Sequence, residues 1–443
     1  MKGDMKEMLI GFKVKNFRSF DELQHFSMIA GKVRSNENHI VQCNKYKILK
    51  FSGLFGANGS GKSNLILAIG LVQPIINYGV NFIINNQFFR GFRVNNKENS
   101  YFEYELFINN KLYSYGFEIN FLNQRIVSEW LIDMTKQNEK VIYERDIINN
   151  KYRTDLKIKN EYFNICLNEM KNNSSDLFIK EMMRRLVMSG NNDIFFDDIR
   201  NVFKFLMFDT VVIRPSTHKL IDINYVSNKD IILKYLNALD INICDIVAVD
   251  YDINNLKAKV SLTEFNKIVE DFNILSNKFN DFSCCLRIEN DLYQLKKGEN
   301  DQLFVKSLKF KHRNCISEFG AFDESDGTIR VLELIDILLS DNKLFLIDEL
   351  DSSLHPMLVS GLLKIFLKSH INNQLIITTH ELKTLDFSLV RRDEIWFTEK
   401  NEKGESSLYS LEEFKDIARF DRKIDKAYLE GRFGGIANIN TDI

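Results

Sequence analysis

Eight consecutive residues, Gly56-Ala57-Asn58-Gly59-Ser60-Gly61-Lys62-Ser63, carry the strongest chemical signal in this 443-residue chain. The spacing G-x-x-x-x-G-K-S lets the backbone N–H groups around Asn58, Gly59, Ser60 and Gly61 wrap a polyphosphate. Lys62 can then reach the outer phosphates, and Ser63 can offer its hydroxyl to Mg2+. Such a loop works only where a strand delivers it to a helix N-terminus, because unpaired amides and the helix dipole both favour an anion there. The flanking residues predict that arrangement: 51–55 read as a buried strand and 64–72 as a helix, with Leu65, Leu67, Ala68, Ile69 and Leu71 on its apolar positions. Asn64, the first residue of that helix, joins the candidate nucleotide-binding set.

A second group of residues could complete a nucleotide site. Leu344-Phe345-Leu346-Ile347 is an apolar strand ending in Asp348-Glu349. At the C-terminal edge of an open α/β sheet, Asp348 can reach a Mg2+ shell, and Glu349 one residue on can act as general base toward water. The next strand, 374–378, is followed by Thr379-His380, so His380 can hydrogen-bond a γ-phosphate or the attacking water. Ser325-Asp326-Gly327-Thr328 opens another helix and reads either as an N-cap box or as a phosphate-binding turn. His355, before Pro356, is either a helix cap or an inter-subunit contact.

These residues need a covered parallel sheet, and the local pattern supplies one. Strand 343–347, helix 356–368 and strand 374–378 follow in quick succession, which implies parallel pairing. The N-terminal part differs: alternation at Ile10, Phe12 and Val14, and period-two runs at 101–109, 111–120, 126–135 and 140–144, predict antiparallel strands, with Asn109-Asn110 as a hairpin turn. From 175 to 280 the apolar spacing becomes mostly helical, with short strands near 208–213 and 246–251. A strand at 303–311 precedes the Ser325 helix, whose polar stripe is Arg330, Glu333, Asp336 and Ser340.

Composition constrains the function more loosely. The net charge is −2, so no global basic excess points to nucleic acid, although 306–313 and Lys180, Arg184 and Arg185 are locally basic. The six cysteines show no metal-ligand spacing, and adjacent Cys284 and Cys285 read as buried thiols rather than a redox pair. With no signal peptide and no apolar run approaching membrane-spanning length, the expectation is a cytoplasmic protein with no membrane partner.

Taken together these motifs resemble the ATPase head of the ABC/SMC superclass, and more narrowly the RecF-like and OLD-like ATPases. Asn16-Phe17-Arg18-Ser19-Phe20 is similar to the N-terminal strand and turn of those proteins, residues 56–63 to Walker A, 344–349 to Walker B, Leu350-Asp351 to the D-loop, and His380 to the switch histidine. Ser325-Asp326-Gly327 resembles a degenerate signature motif, and Gln87 is the candidate for a Q-loop glutamine. The segments 391–397 and 428–436 are similar to the ends of abortive-infection and RloA-type ATPases.

The resemblance implies an α/β fold: an ABC-type head, in which a mixed sheet with a P-loop core and an antiparallel β subdomain are joined by an inserted helical domain. The expected divisions are 1–160 and 301–400 for the two halves of the head, 161–300 for a mostly helical insert and 401–443 for a helical tail. It further implies a Mg2+-dependent ATPase that forms a homodimer or higher oligomer, with Ser325 and Gly327 of one copy facing Walker A of another. Such a protein would control a separate effector encoded nearby, in antiphage defence. The OLD nucleases carry an additional nuclease domain, for which the residues after His380 leave little room. Two alternatives are a RecF-like DNA-binding ATPase and a P-loop GTPase or kinase. The second is disfavoured because no N-K-x-D sequence occurs.

Overall fold

Five parallel strands, closed on one edge by an antiparallel sixth, carry the phosphate loop. In the computed structural model, which describes residues 6–81, 98–156, 161–191, 193–214, 218–221, 223–276, 283–288, 291–298, 302–369, 371–414 and 424–435, their order is Thr210–Ile213, Leu344–Ile347, Gln374–Thr378, Phe51–Phe55, Ile395–Lys400 and Ser406–Ser410. Every pairing in this sheet is parallel except the last. All residues of Phe51–Phe55, Leu344–Ile347 and Gln374–Thr378 are buried, which is why these segments read as continuous apolar runs rather than as alternation. Thr379 then leads to His380 at the same edge from which Phe51–Phe55 releases the phosphate loop.

The chain divides into two compact units. One comprises Met1–Ile213, Asp341–Leu350 and Leu367–Ile443; the other comprises Arg214–Ser340 and Asp351–Phe366.

Beside the parallel sheet, the first unit contains a seven-stranded antiparallel sheet in the order Lys151–Arg153, Lys140–Asp146, Arg125–Asp133, Lys111–Asn120, Ser100–Ile108, Glu7–Lys15 and Gln24–Ser27. The predicted hairpin is present: Asn109 and Asn110 both take positive φ, 51° and 64°, between Ser100–Ile108 and Lys111–Asn120. A two-residue turn with both φ positive matches the twist of its flanking strands, and asparagine tolerates that conformation better than most residues. Tilted and edge-to-face ring pairs, Phe12 with Tyr104 and Phe17 with Phe102, fill the inner face.

A buried ion pair ties this sheet to the helix Phe178–Ser189. Arg145 donates to Glu129 at 3.0 Å and to the carbonyls of Met170, Asn173 and Asp176, while Glu129 accepts the backbone N–H groups of Phe178 and Ile179. Neither side chain is solvent-exposed. The helix N-terminus therefore rests on a carboxylate that offsets its unpaired amides and its dipole.

The second unit is built on an antiparallel sheet in the order His218–Ile221, Ser283–Ile288, Asp291–Lys297, Leu303–His312 and Ile243–Asp250, with Phe319–Gly320 added to Leu303–His312. The strands Ser283–Ile288 and Asp291–Lys297 were not expected from the sequence. Cys284-Cys285-Leu286 is a short continuous apolar run, a pattern that a buried strand and a helix share. Both cysteines are buried, and neither forms a disulfide. The helix Asp326–Leu334 carries its polar stripe inward: Arg330, Glu333 and Asp336 are buried, and Glu333 pairs with both Arg330 and Arg287.

Candidate functional site

The strand Phe51–Phe55 ends at Gly56, whose φ of +151° and crowded surroundings suit only glycine. A Cβ there would lie 2.4 Å from the Thr398 carbonyl. The loop then turns over Asn58 and exposed Gly59 to reach the helix Lys62–Gly70. Lys62 is buried with its Nζ folded back on the loop, 2.7 Å from the Gly56 carbonyl and 3.1 Å from that of Ala57. Its ammonium therefore sits inside the curve of the loop.

Across the sheet, the strand Leu344–Ile347 brings its two carboxylates to the same edge. Ser63 Oγ donates to Asp348 Oδ1 at 2.9 Å, and Thr378 Oγ1 donates to the same oxygen at 2.6 Å. Thr378 Oγ1 also accepts the Glu349 backbone N–H at 2.8 Å. Glu349 takes a φ of +52°, in the left-handed region, where a residue with a side chain is held at a cost of about 1 kcal/mol or more. Neighbouring strand ends hold this dipeptide on both sides: Asp348 N–H donates to the Ile213 carbonyl and Leu350 N–H to that of Thr378. Asp348 is thus buried and fixed, whereas Glu349 is solvent-exposed. His380, also exposed, follows two residues after Thr378.

The donor set fits Mg2+. A hydroxyl oxygen and a carboxylate oxygen 2.9 Å apart span about the edge of an octahedron with bonds near 2.1 Å, and both are the hard oxygen ligands that this ion takes.

The far side of the loop is cross-linked by hydroxyls and amides that the motif alone did not reveal. Ser60 Oγ is 2.6 Å from Thr398 Oγ1, and Ser406 Oγ donates to the Ser60 carbonyl at 2.5 Å. Asn64 Nδ2 donates to Ser19 Oγ at 2.6 Å, and Arg18 Nε donates to Asn64 Oδ1 at 3.2 Å. Residues 16–20 therefore brace the start of the Lys62–Gly70 helix. The available signal for Thr378, Thr398 and Ser406 was their place as hydroxyl residues in or at the ends of strands of the same sheet. Nothing in their spacing marks them as partners of the loop.

Lys62, Ser63, Asp348, Glu349 and His380 thus belong to one compact unit, and Ser325 and Gly327 to the other. Ser325 makes the N-cap that its sequence suggests: its Oγ accepts the Thr328 N–H at 3.1 Å. His355 also caps, with Nδ1 accepting the Met357 N–H at 3.2 Å. Gln87 lies outside the described residues.

Most charges of the locally basic segments are paired with carboxylates. Lys306 faces Asp250, Lys311 faces Glu318, and His312 Nε2 is 2.6 Å from Glu324. Lys180 meets Asp176, while Arg184 and Arg185 share Glu181. The segment 391–397 turns out to be a lock at the opposite edge of the parallel sheet. Buried Arg391 pairs with Asp393, and buried Glu394 lies 2.9 Å from His39.

Known proteins resemble the chain at the level of family and fold. Residues 51–155 and 251–386 match the family described as "AAA domain, putative AbiEii toxin, Type IV TA system". No curated protein matches. Among solved structures, an SMC head bound to the C-terminal winged-helix domain of ScpA is 13% identical, covering 92% of this chain and 99% of that one at a TM-score of 0.41. The SMC head domain of Thermotoga maritima is 14% identical, covering 91% and 98% at a TM-score of 0.32. No helix among the described residues is long and apolar enough to cross a membrane. The two family-matched segments make up more than half of the chain and contain the phosphate loop, the Asp348-Glu349 strand and His380, so the protein belongs to this AbiEii-like AAA-domain family.

Proposed function

We propose that the protein binds and hydrolyses ATP and uses the cycle to switch an assembly that governs a separate effector. The observation that carries this reading is the continuous chain Ser63–Asp348–Thr378–Glu349, which links the phosphate loop to a buried, fixed carboxylate and an exposed one.

In this reading the amides of 58–64 and the Lys62 ammonium bind the triphosphate. Ser63 and Asp348 would hold Mg2+, whose charge, when it is bound, offsets that of the β- and γ-phosphates. Glu349 orients a water and accepts its proton as the water oxygen attacks the γ-phosphorus. The bond to the β-phosphate oxygen then breaks to give ADP and phosphate, while His380 hydrogen-bonds the transferred group or the water. Ser325 and Gly327 complete the site from a second copy, so that binding closes a dimer or larger oligomer and hydrolysis opens it. The domain division into an interrupted head, an insert and a tail belongs to the same proposal. The family's description names an abortive-infection toxin of a toxin–antitoxin system, which supports a role in antiphage defence with a partner protein.

Two variants test the mechanism. Lys62→Ala is expected to weaken ATP binding at least tenfold, whereas Glu349→Gln retains binding, loses turnover and accumulates an ATP-bound assembly. Equal loss of binding in both would contradict these roles. Co-purification from the native operon tests the effector: a chain that brings down nothing, with or without ATP, overturns that part. The DNA-binding alternative gains little from the basic segments, most of whose charges are met by neighbouring carboxylates.

A further inference from the structure

The C-terminal segment reaches the phosphate loop from behind. The helix Ile424–Leu429 buries Ile424, Ala427 and Tyr428. The Tyr428 ring stacks on Phe397, with centroids 5.4 Å apart and 17° between planes, and Phe433 stacks on the same phenylalanine at 5.9 Å. Phe397 belongs to Ile395–Lys400, the strand directly paired with Phe51–Phe55. Tyr409 fixes the segment again by donating to the Phe433 carbonyl at 2.7 Å.

The polar end of Tyr428 is what matters for the loop. Its hydroxyl donates to the Gly435 carbonyl at 3.0 Å and so ties the helix to the residue that lies against Gly56. Gly56 is the first residue of the phosphate loop, and its carbonyl accepts from Lys62 Nζ. Gly435 therefore links the tyrosine to the residue whose carbonyl holds the phosphate-binding lysine. Gly435 closes the contact: at φ +65°, a Cβ on it would lie 3.3 Å from the Thr398 carbonyl and 3.5 Å from Gly56 Cα. The backbone approaches that closely only because the position has no side chain.

We infer that residues 424–435 are part of the nucleotide site in cis, with Tyr428 a positioning residue that holds Gly435 against Gly56 and, through it, the loop geometry from which Lys62 reaches the phosphates. The inference rests on the ATP-site reading above. Removing the buried tyrosine hydroxyl costs its partner, because the Gly435 carbonyl loses that donor and the segment loses its hold beside Gly56. Anything that displaces the segment loosens the loop. The tail is thus a lever on ATP affinity.

The test uses the full chain and three variants. Tyr428→Phe keeps the ring on Phe397 and removes only the hydroxyl, Gly435→Ala crowds the approach to Gly56, and Phe433→Leu loosens the aromatic cluster without touching Gly56. Hydrogen–deuterium exchange of the loop peptide is measured without nucleotide, and KM for ATP, kcat and melting temperature are measured beside it. Faster exchange over 56–61 and about a five-fold rise in KM, with kcat within two-fold of wild type, are expected for Tyr428→Phe and Gly435→Ala. Phe433→Leu should lower the melting temperature and raise KM less than the other two, because it weakens the anchoring of the segment without changing its contact with Gly56.

A Tyr428→Phe protein with wild-type exchange and KM overturns the inference. So does one in which the melting temperature falls while KM holds, because that is a packing role only. Wild-type protein that binds no ATP fails the parent reading instead, and that failure is visible before any variant is compared.

Discussion

At the scale of single residues, the site is organised by a threonine rather than by its charged groups. Thr378 Oγ1 donates its one proton to Asp348 and accepts from the Glu349 amide, so it fixes the carboxylate and the left-handed turn together. Thr378→Val keeps the shape and the β-branch but removes both bonds. The expected result is ATP affinity within about three-fold of wild type and kcat lower by ten-fold or more, because a general base loses rate steeply when misplaced. Steady-state hydrolysis together with a direct binding titration separates the two. A matching loss of affinity would instead make Thr378 part of the binding surface. The carboxylates, the lysine and the loop glycines were legible in the sequence because their chemistry demands fixed spacing. Thr378 was not, since a buried threonine ending a strand is common and its partners lie about thirty residues away in sequence.

Elements were legible in proportion to how plainly one physical demand governs them. Strands covered on both faces, and strands of the antiparallel sheet with one face inward, each leave a distinct pattern, so the pieces flanking the phosphate loop could be placed within a residue or two. The hairpin Ser283–Ile288 with Asp291–Lys297 and the inward-facing stripe of Asp326–Leu334 could not, because burial there is set by partners such as Arg287 that lie far along the chain. The pairing of Glu7–Lys15 with Ser100–Ile108 offers a test of its own. His25, and beside it Lys13, hold the Glu105 carboxyl down to about 2, below its ordinary value near 4.5. A carboxyl whose value is lowered by folding contributes stability that is complete above the unfolded value and is lost as pH falls from about 4.5 to about 2. Glu105→Gln should therefore be less stable than wild type by about 2 kcal/mol at pH 7, with the difference vanishing toward pH 2. Denaturant midpoints across that range check it. A difference that does not shrink below pH 4 would show that packing, not charge, is responsible.

For the molecule as a whole, the open question is where the Ser325 loop does its work. Its serine is exposed, already caps its own helix, and belongs to the compact unit that does not hold the phosphate loop. Under the proposed mechanism it meets the nucleotide of a second copy, and this can be isolated from its capping role. Ser325→Ala removes the cap, at a cost of about 1 kcal/mol of stability, and should leave assembly largely intact. Ser325→Arg adds a bulky cation where a second copy must approach. In the Glu349→Gln background it should abolish the ATP-dependent dimer seen by light scattering while binding by the monomer persists; a dimer that survives Ser325→Arg would remove this loop from the interface. Complementation presses the point further. Subunits carrying Ser325→Arg alone and subunits carrying Lys62→Ala alone should each be inactive. In a mixed dimer, however, the sound phosphate loop of one faces the sound serine of the other, and equal mixing should restore measurable turnover, because each mixed dimer has one good site and carries one arginine instead of two. Activity confined to a single chain cannot be rescued in this way, so an inactive mixture would return the whole site to one copy.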